Sequence, residues 1–380
     1  MIKKFNIVLF WYMNDWGLYG RSYENIAKGL ANNKQINNVI CILPSNIIAK
    51  SRFAFELAKP KPNLYVITPN PRLLNTSGAL YNLRQWLNNR FTSLNAINFF
   101  LRLLGLKKAN TILWLFPHHP FITKLLEEIP HSLLVTQIVD NVLNKAGISE
   151  ETKDLVTTQY DLLPKISNIT ITSSKLNYEI FLTKSPHCYL VENGLDLSFI
   201  SSPSNLPHIK NSVRPRLGYL GFISERTDVN LLKKLALARP EYDLIIAGPD
   251  EELRLSTAGV LNLPNVSHIN YLPYSEAPNF INSLDVCLIT HIDSPFSQSM
   301  SPLKLFQYLG SGRPIVTTNI SGTARWIDLI YIANDHNDFI YKIDIALIEN
   351  NEVALKRIDA AKNETWDNRI NYLMNLINFK

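Results

Sequence analysis

Short apolar segments alternate with segments of helical periodicity along most of the chain. In the first half the strand-like runs are 5–13, 38–44, 64–69, 111–117, 132–140 and 168–173, and residues 22–33 have helical spacing. In the second half the strand-like runs are 216–223, 242–248, 266–272, 285–292 and 314–319, with helical spacing over 228–240. Near-continuous apolar runs separated by helices are typical of buried parallel strands. The pattern predicts two doubly wound, Rossmann-like α/β domains.

A segment rich in Ser, Pro and Asn, residues 193–215, lies between the two series and predicts a linker. We therefore expect an N-terminal domain over 1–192 and a second domain over 193–360. Ligands of doubly wound sheets bind beyond the carboxyl ends of the strands. Two such domains facing each other are expected to form a cleft with two half-sites.

The composition favours a globular protein. Of 380 residues, 46% are hydrophobic and 18% charged, and no apolar run reaches the roughly 20 residues that a transmembrane helix needs. The N-terminal "MIKKFNIVLFWYM" lacks a small-residue cleavage site, which favours a first strand over a signal peptide. Cys41, Cys188 and Cys287 are widely spaced in apolar runs, as expected for core residues in a reducing compartment. These features predict a cytoplasmic protein.

The charge balance points to anionic partners. The net charge is +6 and the pI about 9.0. Residues 72–108 contain six Lys or Arg and no Asp or Glu, among aromatic and aliphatic side chains. Such a basic helical insertion suits an anionic membrane surface, such as the inner face of the cell membrane, or a lipid-linked substrate. Two packed surface helices with solvated arginines are the alternative, and nucleic acid is not expected because no nucleic-acid motif accompanies the segment.

The stretch "SPLKLFQYLGSG" predicts a short helix with an anion-binding start. Pro302 is suited to the first helical position and Ser301 to the N-cap, while Leu303 and Lys304 complete the first turn. Exposed N–H groups at a helix start attract phosphate oxygens, and Lys304 adds a full positive charge. Gly310 and Gly312 are expected to end the helix before the next strand.

Several motifs of the second half occur in the order typical of one family. They are "GYLGFISERTDVNLLKKLA" (218–236), "IIAGPDEE" (245–252), "NVSHINYLPYSEAPNFINSLDVCLI" (265–289) and "SPLKLFQYLGSGRPIVTTN" (301–319). This series resembles the C-terminal domain of GT-B glycosyltransferases of the family-4 type, in particular their bacterial surface-polysaccharide branch. The resemblance covers residues 190–380 well, and 5–45 and 132–200 more loosely. It implies a GT-B fold in which the closing segment 361–380 forms a helix that crosses back onto the N-terminal domain.

The resemblance also implies a donor site for a nucleotide-diphosphate sugar. Arg226 and Lys304 would hold the diphosphate, and Gly17 and Gly20 would form a loop against the donor sugar, unless they only shape a tight turn. Glu225 would orient Arg226 or be solvated. The further residues expected at the donor are Gly221, Tyr271, Ser301, Pro302, Leu303 and Gln307.

Two positions depart from the family pattern. Many members carry glutamates seven residues apart, where this chain has Ser299 and Gln307. Gln307 can still hydrogen-bond to ribose hydroxyls through its amide, whereas Ser299 cannot supply a carboxylate. The resemblance therefore leaves the donor, and activity itself, open.

Candidate acceptor residues lie in the first half. Asp140 ends a strand-like run, where it would act as a base in an inverting reaction, orient the acceptor in a retaining one, or cap a helix. Asp15, His118 and His119 follow other predicted strands and are expected to contact the acceptor or to be ordinary loop residues. No Cys, His and Asp spacing completes a metal site.

The resemblance implies a metal-independent and cofactor-free hexosyltransferase, with retention of configuration favoured over inversion. It would transfer sugar from a UDP- or GDP-sugar to a glycan or lipid-linked acceptor in surface polysaccharide biosynthesis. A non-catalytic GT-B scaffold protein and a GT-B sugar-nucleotide epimerase are the alternatives.

Overall fold

The protein is an α/β structure built on two separate β-sheets. The structure, a computed structural model, describes residues 4–11, 13, 15–44, 55–69, 93–118, 122–202 and 214–378. Within these residues the first sheet has eight strands in the order β3-β4-β2-β1-β5-β6-β7-β8. The second has six strands in the order β11-β10-β9-β12-β13-β14.

The first sheet is parallel except at one edge, where β3 runs antiparallel to β4. Its strands are β1 (Phe5–Phe10), β2 (Ile36–Ile42), β3 (Phe55–Lys61), β4 (Leu64–Pro69), β5 (Thr111–Leu115), β6 (Leu133–Ile138), β7 (Ile169–Thr172) and β8 (Cys188–Leu190). Its helices are α1 (Ser22–Asn32), α2 (Ser93–Leu103), α3 (Ile122–Glu128), α4 (Glu150–Ile166) and α5 (Lys175–Leu182). Alternate residues of β1 enter two separate apolar cores, one on each face of the sheet.

The second sheet is parallel throughout its described pairings. Its strands are β9 (Arg216–Leu220), β10 (Asp243–Ala247), β11 (Val266–Ile269), β12 (Val286–Ile289), β13 (Ile315–Thr318) and β14 (Tyr331–Ala333). The helices are α6 (Val229–Ala238), α7 (Arg254–Thr257), α8 (Ala277–Asn282), α9 (Pro295–Gln298), α10 (Leu303–Ser311), α11 (His336–Ala346) and α12 (Asn351–Ala361). Two apolar cores again flank the sheet. The prediction of two doubly wound domains is confirmed.

The last helix, α13 (Trp366–Asn378), packs on the first domain although it follows the second. Its buried side chains Trp366, Ile370 and Leu373 belong to the same core as β1 and α1. Gly29 allows α1 and α13 to approach closely, since a Cβ at this position would lie 2.5 Å from Cγ1 of Ile370. The predicted crossing of the C-terminal helix is therefore present.

Part of the predicted linker belongs to the second domain. Leu195 and Phe199 are buried in a core of that domain, together with residues of α10. A Cβ at Gly310 of α10 would lie 2.8 Å from the carbonyl oxygen of Phe199. Residues 203–213 of the predicted linker lie outside the described residues.

A buried ion pair fixes the far end of α10. Arg357 of α12 is fully buried and donates through Nη1 to Oε1 of Glu349 at 2.5 Å and to the carbonyl of Gly312 at 3.3 Å. Gly312 ends α10 in the left-handed conformation, at φ 73°. The guanidinium therefore ties the end of this helix to α12.

We expect Arg357→Met to lower the free energy of unfolding by about 3–5 kcal/mol, because Glu349 would keep a buried charge without its partner. The matched control is Lys362→Met, whose partner Asp359 and own side chain are exposed. That change should cost less than about 1 kcal/mol. Urea unfolding followed by tryptophan fluorescence measures both, and equal losses would contradict the assignment.

Candidate active site

The predicted donor residues gather where loops of the two domains meet. The loop between β1 and α1 and the residues after β6 come from the first domain. The loop between β9 and α6, the residues after β12 and the start of α10 come from the second. All follow the carboxyl ends of parallel strands or precede a helix, which is where ligands of such sheets bind.

Lys304 lies in the first turn of α10, between an aromatic ring and a histidine. Its Nζ is 3.7 Å from the centroid of the Tyr219 ring and 3.4 Å from Nε2 of His291. A Cβ at Gly221, where φ is 134°, would lie 3.0 Å from the same Nζ. Glycine therefore leaves room for the ammonium group. Burial lowers the pKa of Lys304, and Arg226 lowers it further, while the Tyr219 hydroxyl opposes the shift.

The start of α10 differs from the prediction. The helix begins at Leu303, with Pro302 in the N-cap position and no side-chain cap. Ser301 is not the N-cap, because its hydroxyl accepts the backbone N–H of Asn193 at 3.2 Å. The N-cap prediction for Ser301 is therefore wrong, and the first N–H groups of α10 keep no side-chain acceptor. Gly310 lies inside the helix, so only Gly312 ends it.

Arg226 reaches across to the first domain. Its Nη1 is 3.3 Å from Oδ2 of Asp140, and both side chains are 22% exposed. The guanidinium also lies over the ring of Phe296, 5.2 Å from its centroid. Burial raises the pKa of Asp140, and Arg226 and Arg21 oppose that shift.

Asp140 does not cap the short helical turn that follows it. Asn141 has that role, since its side chain accepts the N–H of Leu143 at 3.2 Å. The helix-cap role expected as the alternative for Asp140 is therefore taken by Asn141. The Asp140 carboxylate lies in the cleft instead, opposite Arg226.

Glu225 does not orient Arg226 in this arrangement. Its carboxylate lies 3.6 Å from Nζ of Lys145, in the first domain. Burial lowers the pKa of His118, and the charge of Lys145 lowers it further. The backbone N–H of His118 donates to Oε1 of Gln159 at 2.5 Å, at φ 88°. His119 lies outside the described residues.

The glycine loop of the first domain lies against the second domain. Gly20 has φ 59°, and a Cβ there would lie 2.3 Å from the ring of Tyr274. Gly17 has φ 81°, and its N–H donates to Oε2 of Glu24 at 2.8 Å. Both glycines shape a tight loop at the junction. Their contact with a donor sugar stays a prediction.

Asp15 organises this loop. Its buried carboxylate accepts from Trp11 Nε1 at 3.2 Å, from Arg21 Nε at 2.6 Å and from the Tyr23 hydroxyl at 3.0 Å. The Asp15 carboxylate therefore already accepts three hydrogen bonds from within the first domain. The contacts therefore explain Asp15 as a support for the loop, and its predicted acceptor role has no further observation behind it.

Gln307 is buried and interacts with Tyr274. The Tyr274 hydroxyl donates to Oδ2 of Asp196 at 2.6 Å, and burial, together with Asp196, raises the pKa of Tyr274. Gln307 thus belongs to a polar cluster at the base of the glycine loop, next to the ring that faces Gly20. Tyr271, by contrast, is 50% exposed.

Ser299 forms the central hydrogen bonds between the domains. Its hydroxyl accepts the N–H of Asn141 at 3.1 Å, and its carbonyl accepts from Ser174 Oγ and Asn177 Nδ2, each at 2.8 Å. The residue is fully buried. A small hydroxyl therefore occupies a position where a longer carboxylate would separate the two domains.

Sequence reasoning missed three contributors to this site: Tyr219, His291 and the contacts of Ser299. His291 lies near the carboxyl end of the predicted strand-like run 285–292, and that position was the available signal. The partners of Ser299 in the first domain are more than 120 positions away, so no local pattern could indicate them. Among the described residues, no group of three His, Cys, Asp or Glu side chains is arranged to hold a metal ion.

A protein family and one curated relative each match part of the chain. Residues 226–375 match the family described as "Glycosyl transferase-like", a segment that contains both Arg226 and Lys304. TuaH of Bacillus subtilis (strain 168), described as a teichuronic acid biosynthesis glycosyltransferase, is 27% identical over 220 residues. That match covers 54% of this chain and 55% of TuaH, so the chain spans about half the length of this relative. Both matches support an enzyme of the transferase class.

Solved structures match over nearly the whole chain. Sucrose-phosphate synthase from Thermosynechococcus elongatus superposes with a TM-score of 0.72 at 14% identity, covering 99% of this chain and 98% of that one. Anabaena HepE in complex with UDP and glucose gives 0.68 at 12% identity, covering 99% and 100%. The protein has a GT-B fold. Its assignment to family 4 stays a prediction.

We expect Ser299→Glu to destabilise the GT-B domain junction by roughly 3 kcal/mol, because it would place a carboxylate at a fully buried position and break the bond from Asn141. Ser299→Ala removes only the hydroxyl and should cost about 1–2 kcal/mol. Thermal unfolding of the purified variants compares them. A glutamate variant as stable as the unaltered protein would show that the junction tolerates a carboxylate.

Proposed function

We propose that the protein is a glycosyltransferase that moves a hexose-type sugar from a UDP- or GDP-sugar to a glycan or lipid-linked acceptor in surface polysaccharide biosynthesis. One observation carries the proposal: Lys304, Arg226 and the uncapped start of α10 share one partly buried region at the domain junction. The transferase-like match over residues 226–375 and the similarity to TuaH support the reaction class.

The cations would stabilise the leaving group. Transfer of the sugar leaves negative charge on the nucleotide diphosphate, and preorganised charges aimed at that position lower the barrier. Lys304 and Arg226 carry full positive charges, and the first N–H groups of α10 add partial ones. These groups would supply without a metal the charge that a divalent cation provides in other transferases, and no cofactor is needed for the reaction.

Asp140 would serve the acceptor. It faces Arg226 from the first domain, so an acceptor hydroxyl bound there would lie beside the diphosphate. We favour retention of configuration, in which the departing phosphate oxygen can take the proton and Asp140 orients the acceptor. His118 and Lys145 lie on the same side and would extend the acceptor surface. Closure of the junction excludes water and protects the donor from hydrolysis.

The decisive experiment is isothermal titration of the purified chain with a panel of UDP- and GDP-sugars, followed by mass detection of products with glycan and lipid-linked acceptors. A new glycoside supports the proposal. Free nucleotide with a rearranged sugar would identify an epimerase instead. Absence of binding across the panel would indicate a scaffold protein.

We expect Lys304→Ala and Arg226→Ala each to lower turnover by at least ~10²-fold, the scale for loss of one preorganised charge stabiliser. The matched control is Lys356→Ala, an exposed lysine on α12 outside the cleft. Steady-state kinetics with the best donor of the panel measures all three. Near-normal turnover in both folded cleft variants would remove Lys304 and Arg226 from the donor site.

We further propose that helix α2 binds an anionic membrane surface, where a lipid-linked acceptor would be found. Phe99 is 64% and Leu103 69% exposed, and they lie one turn apart on the same face. Arg102, Lys107 and Lys108 lie within or just after this helix. Exposed apolar side chains beside cations are typical of interfacial helices.

No helix in the described ranges is long and apolar enough to cross a membrane. The basic residues of 72–92, Arg84 and Arg90 among them, lie outside the described residues.

Neutralising Arg102, Lys107 and Lys108 to Gln should reduce binding to vesicles of 30% phosphatidylglycerol by at least about tenfold, since each cation near such a surface contributes about 1 kcal/mol. Co-sedimentation with anionic and with purely zwitterionic vesicles measures the change. The control exchanges three exposed lysines of the other domain, Lys234, Lys356 and Lys362, and should retain binding. Equal binding by the α2 variant would exclude this surface.

A further inference from the structure

A buried histidine lies next to the lysine of the donor site. His291 follows β12 and is 4% exposed. Its Nε2 is 3.4 Å from Nζ of Lys304. Its Nδ1 has no hydrogen-bond partner among the residues that the structure describes. The imidazole therefore has one identified polar neighbour, and that neighbour is the ammonium group of Lys304.

The backbone of His291 is held firmly. Its N–H donates to Oγ1 of Thr318 at 3.1 Å, and its carbonyl accepts from the same hydroxyl at 2.7 Å. It also forms a bridge with Thr227, and the next residue, Ile292, donates to the carbonyl of Arg226 at 2.7 Å. The ring therefore keeps a fixed place relative to both cations of the donor site.

The chemistry of the contact assigns the roles of its two atoms. An ammonium group has only hydrogens to donate, so Nε2 must accept, and the ring proton resides on Nδ1. A charged imidazolium beside Lys304 is disfavoured. Burial lowers the pKa of His291 well below its usual range, and the charges of Lys304 and Arg226 lower it further. The ring is therefore neutral at physiological pH and able to accept.

Placing a histidine here costs free energy, because its second ring nitrogen is buried without a partner among the described residues. A buried N–H without a partner costs about 1–3 kcal/mol, and Nδ1 is such a group among the described residues. An apolar side chain of similar size would fill the space without that cost. The ammonium group also lies 3.7 Å from the centroid of the Tyr219 ring, whose hydroxyl donates to the carbonyl of Phe222 at 3.1 Å. Both the ring and the imidazole therefore contact Nζ.

We propose that His291 is a positioning residue that holds the ammonium group of Lys304 beside Gly221, ready for the diphosphate of the donor. The inference rests on the proposed function, because it concerns the same donor site. A flexible lysine loses rotamer entropy when it binds a ligand, and prior fixation removes that loss. Nucleotide affinity should therefore depend on His291 although the imidazole need not touch the nucleotide.

The test compares His291→Phe, which keeps the ring volume and removes the acceptor, with His291→Gln, whose Oε1 can replace Nε2. Titration with UDP and with GDP measures affinity, and steady-state kinetics with the best donor of the panel measures kcat and KM. We expect the phenylalanine variant to bind nucleotide about tenfold more weakly, the scale of one hydrogen bond to a charged group. The glutamine variant should recover most of that loss. His131→Gln, on the first domain, is the control and should behave as the unaltered protein.

A double-mutant cycle separates positioning from general structural damage. In a Lys304→Met background, His291→Phe should cause no further loss of nucleotide affinity, because the group that it positions is absent. An equal loss in both backgrounds would overturn the inference, as would normal affinity in the single phenylalanine variant. Absence of UDP and GDP binding by the unaltered protein would overturn the proposed function and this inference together. Normal binding without any effect at His291 would overturn this inference alone.

Discussion

Two positive charges held close together in a partly buried region constrain the rest of this structure. His291 contacts Lys304 at 3.4 Å and its neighbour Ile292 donates to the carbonyl of Arg226 at 2.7 Å, so both cations lie in one region. Like charges in one region repel each other, and Arg226 accordingly lowers the pKa of Lys304. Two cations stay in such a region only where neighbouring groups stabilise each of them. Asp140 and the Phe296 ring hold Arg226, and the Tyr219 ring and His291 hold Lys304. The proposed diphosphate ligand would relieve this repulsion by binding between the two cations.

The domain junction depends on small polar groups. Ser299 and Ser301 accept backbone N–H groups of the first domain and of the segment that joins the domains, and Asn193 donates to the Ser301 carbonyl at 2.6 Å. Ser299 occupies the position where the resemblance to the family-4 type led us to expect a glutamate. The departure at Ser299 is thus explained by packing between domains. Gln307 is explained in the same way, because it joins the buried cluster around Tyr274.

Apolar periodicity was enough to predict the parallel strands, since buried strands of this kind are apolar almost throughout. It failed for β3, whose "FELAKPK" is largely exposed and antiparallel, and for β8 and β14, which have three residues each. At the site, the position of Lys304 and Arg226 followed from strand ends and from the family resemblance. The partners of Glu225 and Ser299 did not, because they lie across the domain junction, nor did that of Ser301, which lies in the segment that joins the domains. All three depend on tertiary packing. Ser301 shows this most directly. Its hydroxyl is suited to cap α10, but it accepts the distant backbone N–H of Asn193 instead.

The route of the chain has a consequence for its synthesis. Helix α13 supplies Trp366, Ile370, Leu373, Met374 and Ile377 to the core of the domain that begins at the N-terminus. While the ribosome is still translating the second domain, the first one exposes the apolar groove of α1 that these side chains will cover. The second domain, whose cores contain no residue of α13, can be assembled earlier. The first domain is therefore completed only after α13 has been synthesised, and the nascent chain needs protection of that groove until then.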